Sequence, residues 1–303
     1  MKVLIIGLGS IAKKHIDALE EINPELMIYA YRSMPNSSVY KDVVNLNSFQ
    51  EVKSYKFDFC IISSPTFKHE HDLKLLVDLK IPLFIEKPLS HNLDIKYLVK
   101  ALKDSGIKTY VACNLRFLES LQFLKKYLAD IDKLKINEVN VYCGSYLPDW
   151  RADTDFKSTY SANAEMGGGA HLDLIHELDY IYWFFGKPYN VHRVLRSTSS
   201  LNISAVDYAN YTLEYDNFVT KVSLNYFRRD SKRSFEILLA DKTIELNLLR
   251  NEVHIDGDLV FSCNQVALDT YKAQMEYFIE NISSETFNDI SEAFDVLSIC
   301  LEK

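Results

Sequence analysis

Lys87 stands between Glu86 and Pro88, and Asp173, His176 and Asp179 follow three consecutive glycines, Gly167, Gly168 and Gly169. An amine, an imidazole and a carboxylate are the groups that move or stabilise a proton at an oxygen, the imidazole because it exchanges near neutral pH. A third set, Gly7-Leu-Gly9-Ser-Ile-Ala12, carries no reactive group but follows the apolar run Lys2-Val-Leu-Ile-Ile6 and opens a helical pattern. In that setting it reads as a dinucleotide-binding turn. Gly7 permits the tight turn, Gly9 lets the backbone approach a pyrophosphate, and small Ala12 allows close packing of helix on strand. The phosphates then meet the free N–H groups of the helix start, at Ser10, Ile11 and Ala12. Lys87 closes a candidate parallel strand, the end at which open α/β sheets bind ligands. Asp173 and His176, three residues apart, share a face if they lie on one helix.

Up to about residue 116 the chain alternates apolar strands with amphipathic helices, which implies a doubly wound parallel sheet covered on both faces. The strands expected are Lys2–Ile6, Leu26–Tyr31, Phe57–Ser63, Leu83–Glu86 and Thr109–Cys113; the helices are Ala12–Ile22, His69–Leu79, Leu93–Asp104 and Leu118–Leu128. Beyond Glu138 the pattern changes. One helix near Ala170–Phe185 precedes β-branched and aromatic runs at 189–197, 208–215, 219–227, 235–240, 243–248 and 253–255, several separated by short turns rich in Asp, Asn and Gly. That half is expected to form an open-faced, largely antiparallel sheet. Two helices, Gln265–Ile282 and Ile290–Leu301, end the chain and are candidates for packing back on the first domain. The domains expected are therefore 1–116, dinucleotide-binding, and 117–303, for substrate binding and oligomerisation.

The 303 residues are 48% hydrophobic and 25% charged, enough for two domains with cores of their own. A net charge of −8 disfavours a nucleic-acid partner, which needs a basic surface. No stretch approaches the roughly 20 apolar residues that span a bilayer. Five scattered cysteines with no Cys-x-x-Cys pair read as free thiols in a reducing compartment, so a cytoplasmic location is expected. No metal site is expected, because His69-x-His71 lacks a third ligand.

In order and spacing, Gly7-x-Gly9-x-x-Ala12-x-x-His15, Ser64-Pro65-Thr-Phe-Lys-His69, Glu86-Lys87-Pro88, Asn114-Leu-Arg116-Phe117 and Gly167 to Asp179 resemble the motifs of the Gfo/Idh/MocA oxidoreductase family. The resemblance covers nearly the whole chain and implies a Rossmann domain followed by an open-faced sheet domain. It implies hydride transfer between a nicotinamide and a hydroxyl or carbonyl, with Lys87 near the reacting oxygen, His176 as general acid/base and Asp173 orienting substrate or coupling to Lys87. It further implies cofactor contacts at Ser64, Pro65, His69, Glu86, Lys87 and Asn114 and a substrate contact at Arg116; an exposed face on the second domain's sheet would also favour self-association into a homo-oligomer. One departure stands out. Many relatives carry Asp-x-x-x-His, whereas Asp173 and His176 are one residue closer, which leaves open which of the two dominates proton transfer.

An NAD-specific domain commonly supplies an acid about 20 residues beyond the glycine turn. Here Tyr31-Arg32-Ser33 stands there instead, offering a guanidinium and a hydroxyl to a 2′-phosphate, so NADP(H) is favoured and NAD(H) is the alternative. Trp150, Arg151 and Tyr160 resemble a subset of the family that serves surface-polysaccharide or unusual-sugar pathways, which points to a sugar, nucleotide sugar or cyclitol. An aromatic face suits a pyranose and an arginine suits a carboxylate or phosphate. Two other readings share the fold: a non-catalytic NAD(P)-binding regulator, and a glycosidase that uses transient oxidation.

Overall fold

The computed structural model describes residues 1–32, 40–151, 153–284 and 286–302. The chain divides into two compact units, Met1–Asn114 together with Val266–Lys303, and Leu115–Gln265. The break follows Asn114, and the carboxy-terminal segment, numbered with the second domain but a candidate for packing back on the first, groups with the first unit.

In the first unit, strands β1 (Lys2–Ile6), β2 (Met27–Tyr31), β3 (Val44–Leu46), β4 (Phe59–Ile62), β5 (Leu83–Glu86) and β6 (Thr109–Ala112) form a six-stranded sheet in the order β3-β2-β1-β4-β5-β6. Every neighbouring pair is parallel. Helices α1 (Ser10–Ile22), α2 (Phe49–Lys53), α3 (His69–Leu76) and α4 (Lys96–Asp104) connect them. All residues of β4, β5 and β6 are buried, as continuous apolar runs covered on both faces must be. β3 and α2 were not expected. Three and five residues long, they are too short for a periodic signal, and α2 is held by the Ser48 hydroxyl accepting the Glu51 N–H at 3.2 Å.

The second unit begins with α5 (Glu119–Ala129) and carries strands β7 (Ile136–Tyr146), β8 (Asn190–Arg196), β9 (Tyr208–Glu214), β10 (Val219–Asn225), β11 (Phe227–Leu239), β12 (Thr243–Asn247), β13 (Glu252–Ile255) and β14 (Asp258–Ser262). They form one sheet ordered β14-β13-β12-β11-β7-β10-β9-β8, with β7 and β10 parallel and all other neighbours antiparallel. Burial alternates along β9, β10 and β12, so one face is core and the other meets solvent. The exposed face holds a shallow polar groove of about 590 Å³ over Tyr142, Lys221, Lys232 and Glu245.

The single helix expected over 170–185 is two, α6 (Ala170–Asp173) and α7 (His176–Phe185). Leu174, at φ −100° and ψ 28°, leaves the helical conformation and separates them.

Helices α8 (Ala267–Glu280) and α9 (Ile290–Leu301) complete the first unit. α8 packs along α1, and its Phe278 ring meets Phe59 and Phe84 edge-on at 5.3 and 5.4 Å. Before α9, the Asn288 carbonyl accepts the Val111 N–H (2.9 Å) and its Nδ2 donates to the Val111 carbonyl (2.6 Å), tying this segment to β6. Among the described residues no helix is long and apolar enough to cross a membrane.

Candidate functional site

In the first unit the candidate residues gather at the carboxyl ends of β1, β2, β4 and β5. Gly7 has φ +81°, and a Cβ there would lie 3.0 Å from the Ser64 Cα, so only glycine lets the β1–α1 turn touch the loop after β4. Gly9 caps α1 in an extended conformation, and a Cβ on it would meet no atom within 4 Å. No side chain caps this helix and its first turn holds no acid. Ser10, Ile11 and Ala12 thus begin a helix whose positive end faces open space, which is what a pyrophosphate requires.

Beside this turn lies a cleft of about 380 Å³, lined in part by Gly7, Tyr31, Ser64, Pro65, Lys68 and Asp72. Gly7, Ser64 and Pro65 were read from the sequence; Lys68 and Asp72 were not. The Ser64 hydroxyl donates to Asp72 at 2.5 Å, while burial pushes the Asp72 carboxyl above its ordinary range. Arg32 follows β2, half-buried, with its N–H bonded to the Leu46 carbonyl at 3.0 Å. Ser33 lies outside the described residues. The glycine turn, bare helix start and cleft fit a dinucleotide.

His69 points inward. It is buried, with Nε2 2.9 Å from the Ser64 carbonyl and Nδ1 3.3 Å from the Leu89 carbonyl, and desolvation lowers its pKa. A neutral ring donates from one nitrogen only, and the shorter contact assigns that proton to the Ser64 carbonyl. His69 therefore ties the start of α3 to the loop after β4, with Nδ1 facing the Leu89 carbonyl without donating to it. Glu86 is also buried, with Oε1 2.5 Å from His15 Nε2 and Oε2 accepting the Lys87 N–H at 3.2 Å. Lys87 itself is half-buried at the end of β5, and its bond to Pro88 is cis. Asn114 donates from Nδ2 to the Thr270 hydroxyl at 2.7 Å.

In the second unit, the three glycines have steric reasons. A Cβ on Gly168 would overlap the Tyr160 carbonyl oxygen, and Gly167 and Gly169 have φ +75° and +136°. The 160–161 loop is thereby pressed against the start of α6, where Ala170 donates its N–H to the Val206 carbonyl at 2.7 Å. Asp173 ends α6 and is 7% exposed; its Oδ2 accepts the hydroxyl of fully buried Tyr226 at 2.5 Å. The Tyr160 hydroxyl is raised above its ordinary pKa by burial and then by the Asp173 charge, which places the two side by side. The Trp150 ring stands edge-on to Tyr226 at 5.3 Å, with Nε1 donating to the Ser145 hydroxyl at 2.9 Å, and the Arg151 guanidinium lies 5.9 Å from the Tyr160 ring. Asp173, Tyr160, Trp150 and Arg151, chosen from sequence, thus form one contact network. Its link, Tyr226, carried no sequence signal.

His176 opens α7 and is 9% exposed. Its polar neighbours on α7 are engaged elsewhere. Glu177, fully buried, receives Arg233 Nε on Oε1 at 2.6 Å and Nη2 on Oε2 at 3.1 Å. Asp179 receives Arg116 Nε at 2.9 Å and Nη2 at 2.7 Å, and the Arg116 side chain is 0% exposed. Arg116 was expected to meet substrate. In this structure it is a buried anchor of α7, its Nε and Nη2 bound bidentately to the Asp179 carboxylate. His171 is pushed down to about 4 by burial, opposed by Asp173, and so stays neutral at pH 7.

The comparisons with known proteins agree with this geometry. A model for the oxidoreductase family with an NAD-binding Rossmann fold matches residues 1–113, and the model for the GFO/IDH/MocA C-terminal domain matches residues 129–245. The chain belongs to the Gfo/Idh/MocA family. Among curated proteins it is similar to glucose-6-phosphate 3-dehydrogenase of Bacillus subtilis, 26% identical over 213 residues, which is 67% of this chain and 58% of that protein. The match thus spans less than two thirds of that relative's length. Among solved structures it is similar to levoglucosan dehydrogenase in complex with NADH, at TM-score 0.86 and 17% identity, covering 99% of this chain and 95% of the other. It is also similar to UDP-N-acetylglucosamine 3-dehydrogenase from Acidithiobacillus ferrooxidans, at TM-score 0.79 and 17% identity, covering 100% and 96%. At such identities the Gfo/Idh/MocA fold is what these likenesses establish.

Proposed function

We propose that this chain is an NAD(P)-dependent oxidoreductase acting on a hydroxyl or carbonyl of a sugar, nucleotide sugar or cyclitol in the cytoplasm. The observation that carries the reading is the uncapped start of α1 and Lys87 at the carboxyl edge of one parallel sheet. The named relatives act on sugar derivatives, which supports the substrate class. The first unit holds the cofactor through the glycine turn and Ser64-Pro65, and the second supplies Asp173, Tyr160, Trp150 and Arg151 to the substrate. When bound, the nicotinamide accepts or returns the hydride. Lys87 stabilises charge on the reacting oxygen. His176 exchanges the hydroxyl proton, while Asp173, one of whose oxygens is already taken by Tyr226, orients the substrate. We assign His176 the larger proton-transfer role for that reason.

Arg32 supports a preference for NADP(H), since the Tyr31-Arg32-Ser33 segment offers a guanidinium to a 2′-phosphate where an NAD-specific domain carries an acid. The solvent-facing side of the eight-stranded sheet is the surface for self-association. The test is a panel of sugars, sugar phosphates, nucleotide sugars and inositols, followed by nicotinamide absorbance with each cofactor. Cofactor-dependent turnover of at least one member supports the reading. Binding of cofactor with no turnover of any member supports a regulator instead, and sugar release without net cofactor reduction supports a glycosidase.

A further inference from the structure

His15 and Glu86 form a buried polar pair that the proposed chemistry does not use. His15 is 0% exposed on the inner face of α1, six residues beyond the Gly9 cap, and its Nε2 lies 2.5 Å from Glu86 Oε1. Its ring is surrounded by Phe84 and Tyr271, edge-on at 5.0 and 5.8 Å. Its Nδ1 has no hydrogen-bond partner among the described residues. An apolar ring would pack against those aromatics without leaving a nitrogen unpaired, and buried ionic pairs are often no more stable than the apolar residues that could replace them. Stability therefore does not explain the pair. Geometry does: the carboxylate held by His15 on Oε1 accepts the Lys87 N–H on Oε2 at 3.2 Å.

We infer that His15 is a positioning residue for Lys87, acting through Glu86 to lock the helix that receives the dinucleotide to the backbone that carries the amine. This rests on the activity proposed above. α1 runs from the glycine turn to His15, His15 grips Glu86, and Glu86 grips the Lys87 backbone. A shift of α1 then moves the lysine with it. Misplacement by about 1 Å can cost on the order of 100-fold in rate, so the link need not touch substrate to matter.

Three variants test it: His15→Phe, which removes the donor; His15→Gln, whose amide can replace Nε2–H; and His15→Phe with Glu86→Leu, which leaves no buried carboxylate unpaired and so guards against simple unfolding. Steady-state kinetics, cofactor affinity and the rate of Lys87 acylation by an amine-reactive ester, read by mass spectrometry against Lys13 in the same sample, are measured on each. The expected result is kcat lowered about 10- to 100-fold in the Phe and double variants, with substrate KM and cofactor affinity within about 3-fold and with substantial recovery in His15→Gln. The relative acylation rate of Lys87 should change in the same two variants. The inference is overturned if the folded double variant turns over like the parent, if cofactor affinity falls in step with kcat, or if Lys87 acylates at the parental rate. A parent that oxidises no sugar, alongside variants that still alter Lys87 acylation, would sink the proposed activity and leave the coupling intact.

Discussion

Tyr226→Phe removes one oxygen atom and little else. The ring is fully buried and contacts Trp150 edge-on, and Phe keeps that packing. What disappears is the hydroxyl that donates to Asp173 at 2.5 Å. A hydrogen bond to a charged acceptor contributes about 1.5–3 kcal/mol, and a carboxylate that is 7% exposed has little water with which to replace it. The variant should therefore unfold in urea with a free energy lower by about 1.5–3 kcal/mol and an unchanged m-value. Asp173 also loses its fixed orientation, so substrate KM should rise while cofactor affinity is untouched. If Tyr226→Phe unfolds within about 0.5 kcal/mol of the parent and keeps its KM, the hydroxyl does not hold Asp173 and the arrangement of the second unit's residues is misread.

Three further outcomes follow from the geometry. Gly9→Val should stay folded, because a Cβ at that position meets nothing within 4 Å, yet lose cofactor binding because the side chain occupies the pyrophosphate's approach; calorimetric titration with NADH and NADPH measures this. Arg32→Ala should weaken NADP(H) by about 1.5–3 kcal/mol more than NAD(H), the difference a charge-assisted bond to the 2′-phosphate would make; equal weakening would mean the guanidinium stacks on adenine. His171 has a folded pKa near 4 against about 6.5 unfolded, so the unfolded chain binds more protons between these values. Its contribution is fully present above pH 6.5 and falls by about 3 kcal/mol as pH drops to 4; denaturation of His171→Gln should show a correspondingly shallower loss over that window.

The sequence revealed most where local pattern and chemistry coincide. β1, the glycine turn and α1 are legible because an unbroken apolar run, a positive-φ glycine and an uncapped helix start lie within a dozen residues. β7, the strand between β10 and β11, escaped because polar Glu138, Asn140 and Tyr142 alternate with its buried Val139, Val141 and Cys143 and dilute the apolar run. β11 was read only from Phe235, since Arg228 to Lys232 are charged or polar and the ladder shifts register there. Arg116 shows a different limit. A guanidinium near a domain junction reads the same from sequence whether it binds substrate or a carboxylate, and its partner, Asp179, is 63 residues away. A separation of 53 residues likewise hid Tyr226 from Asp173. Asp173 and His176 were expected on one helix; the break at Leu174 separates them, while Glu177 and Asp179 are drawn off into pairs with Arg233 and Arg116.

The central claim is that Lys87 and His176 act on the reacting oxygen and not on the cofactor. Single-turnover formation of reduced nicotinamide by Lys87→Ala and His176→Ala, alongside cofactor affinity by fluorescence titration, tests it most directly. The prediction is an affinity within about 3-fold of the parent and a rate lower by about 10²–10⁴-fold in each variant. Parental rates in both, or a loss of rate matched by an equal loss of cofactor affinity, would contradict it.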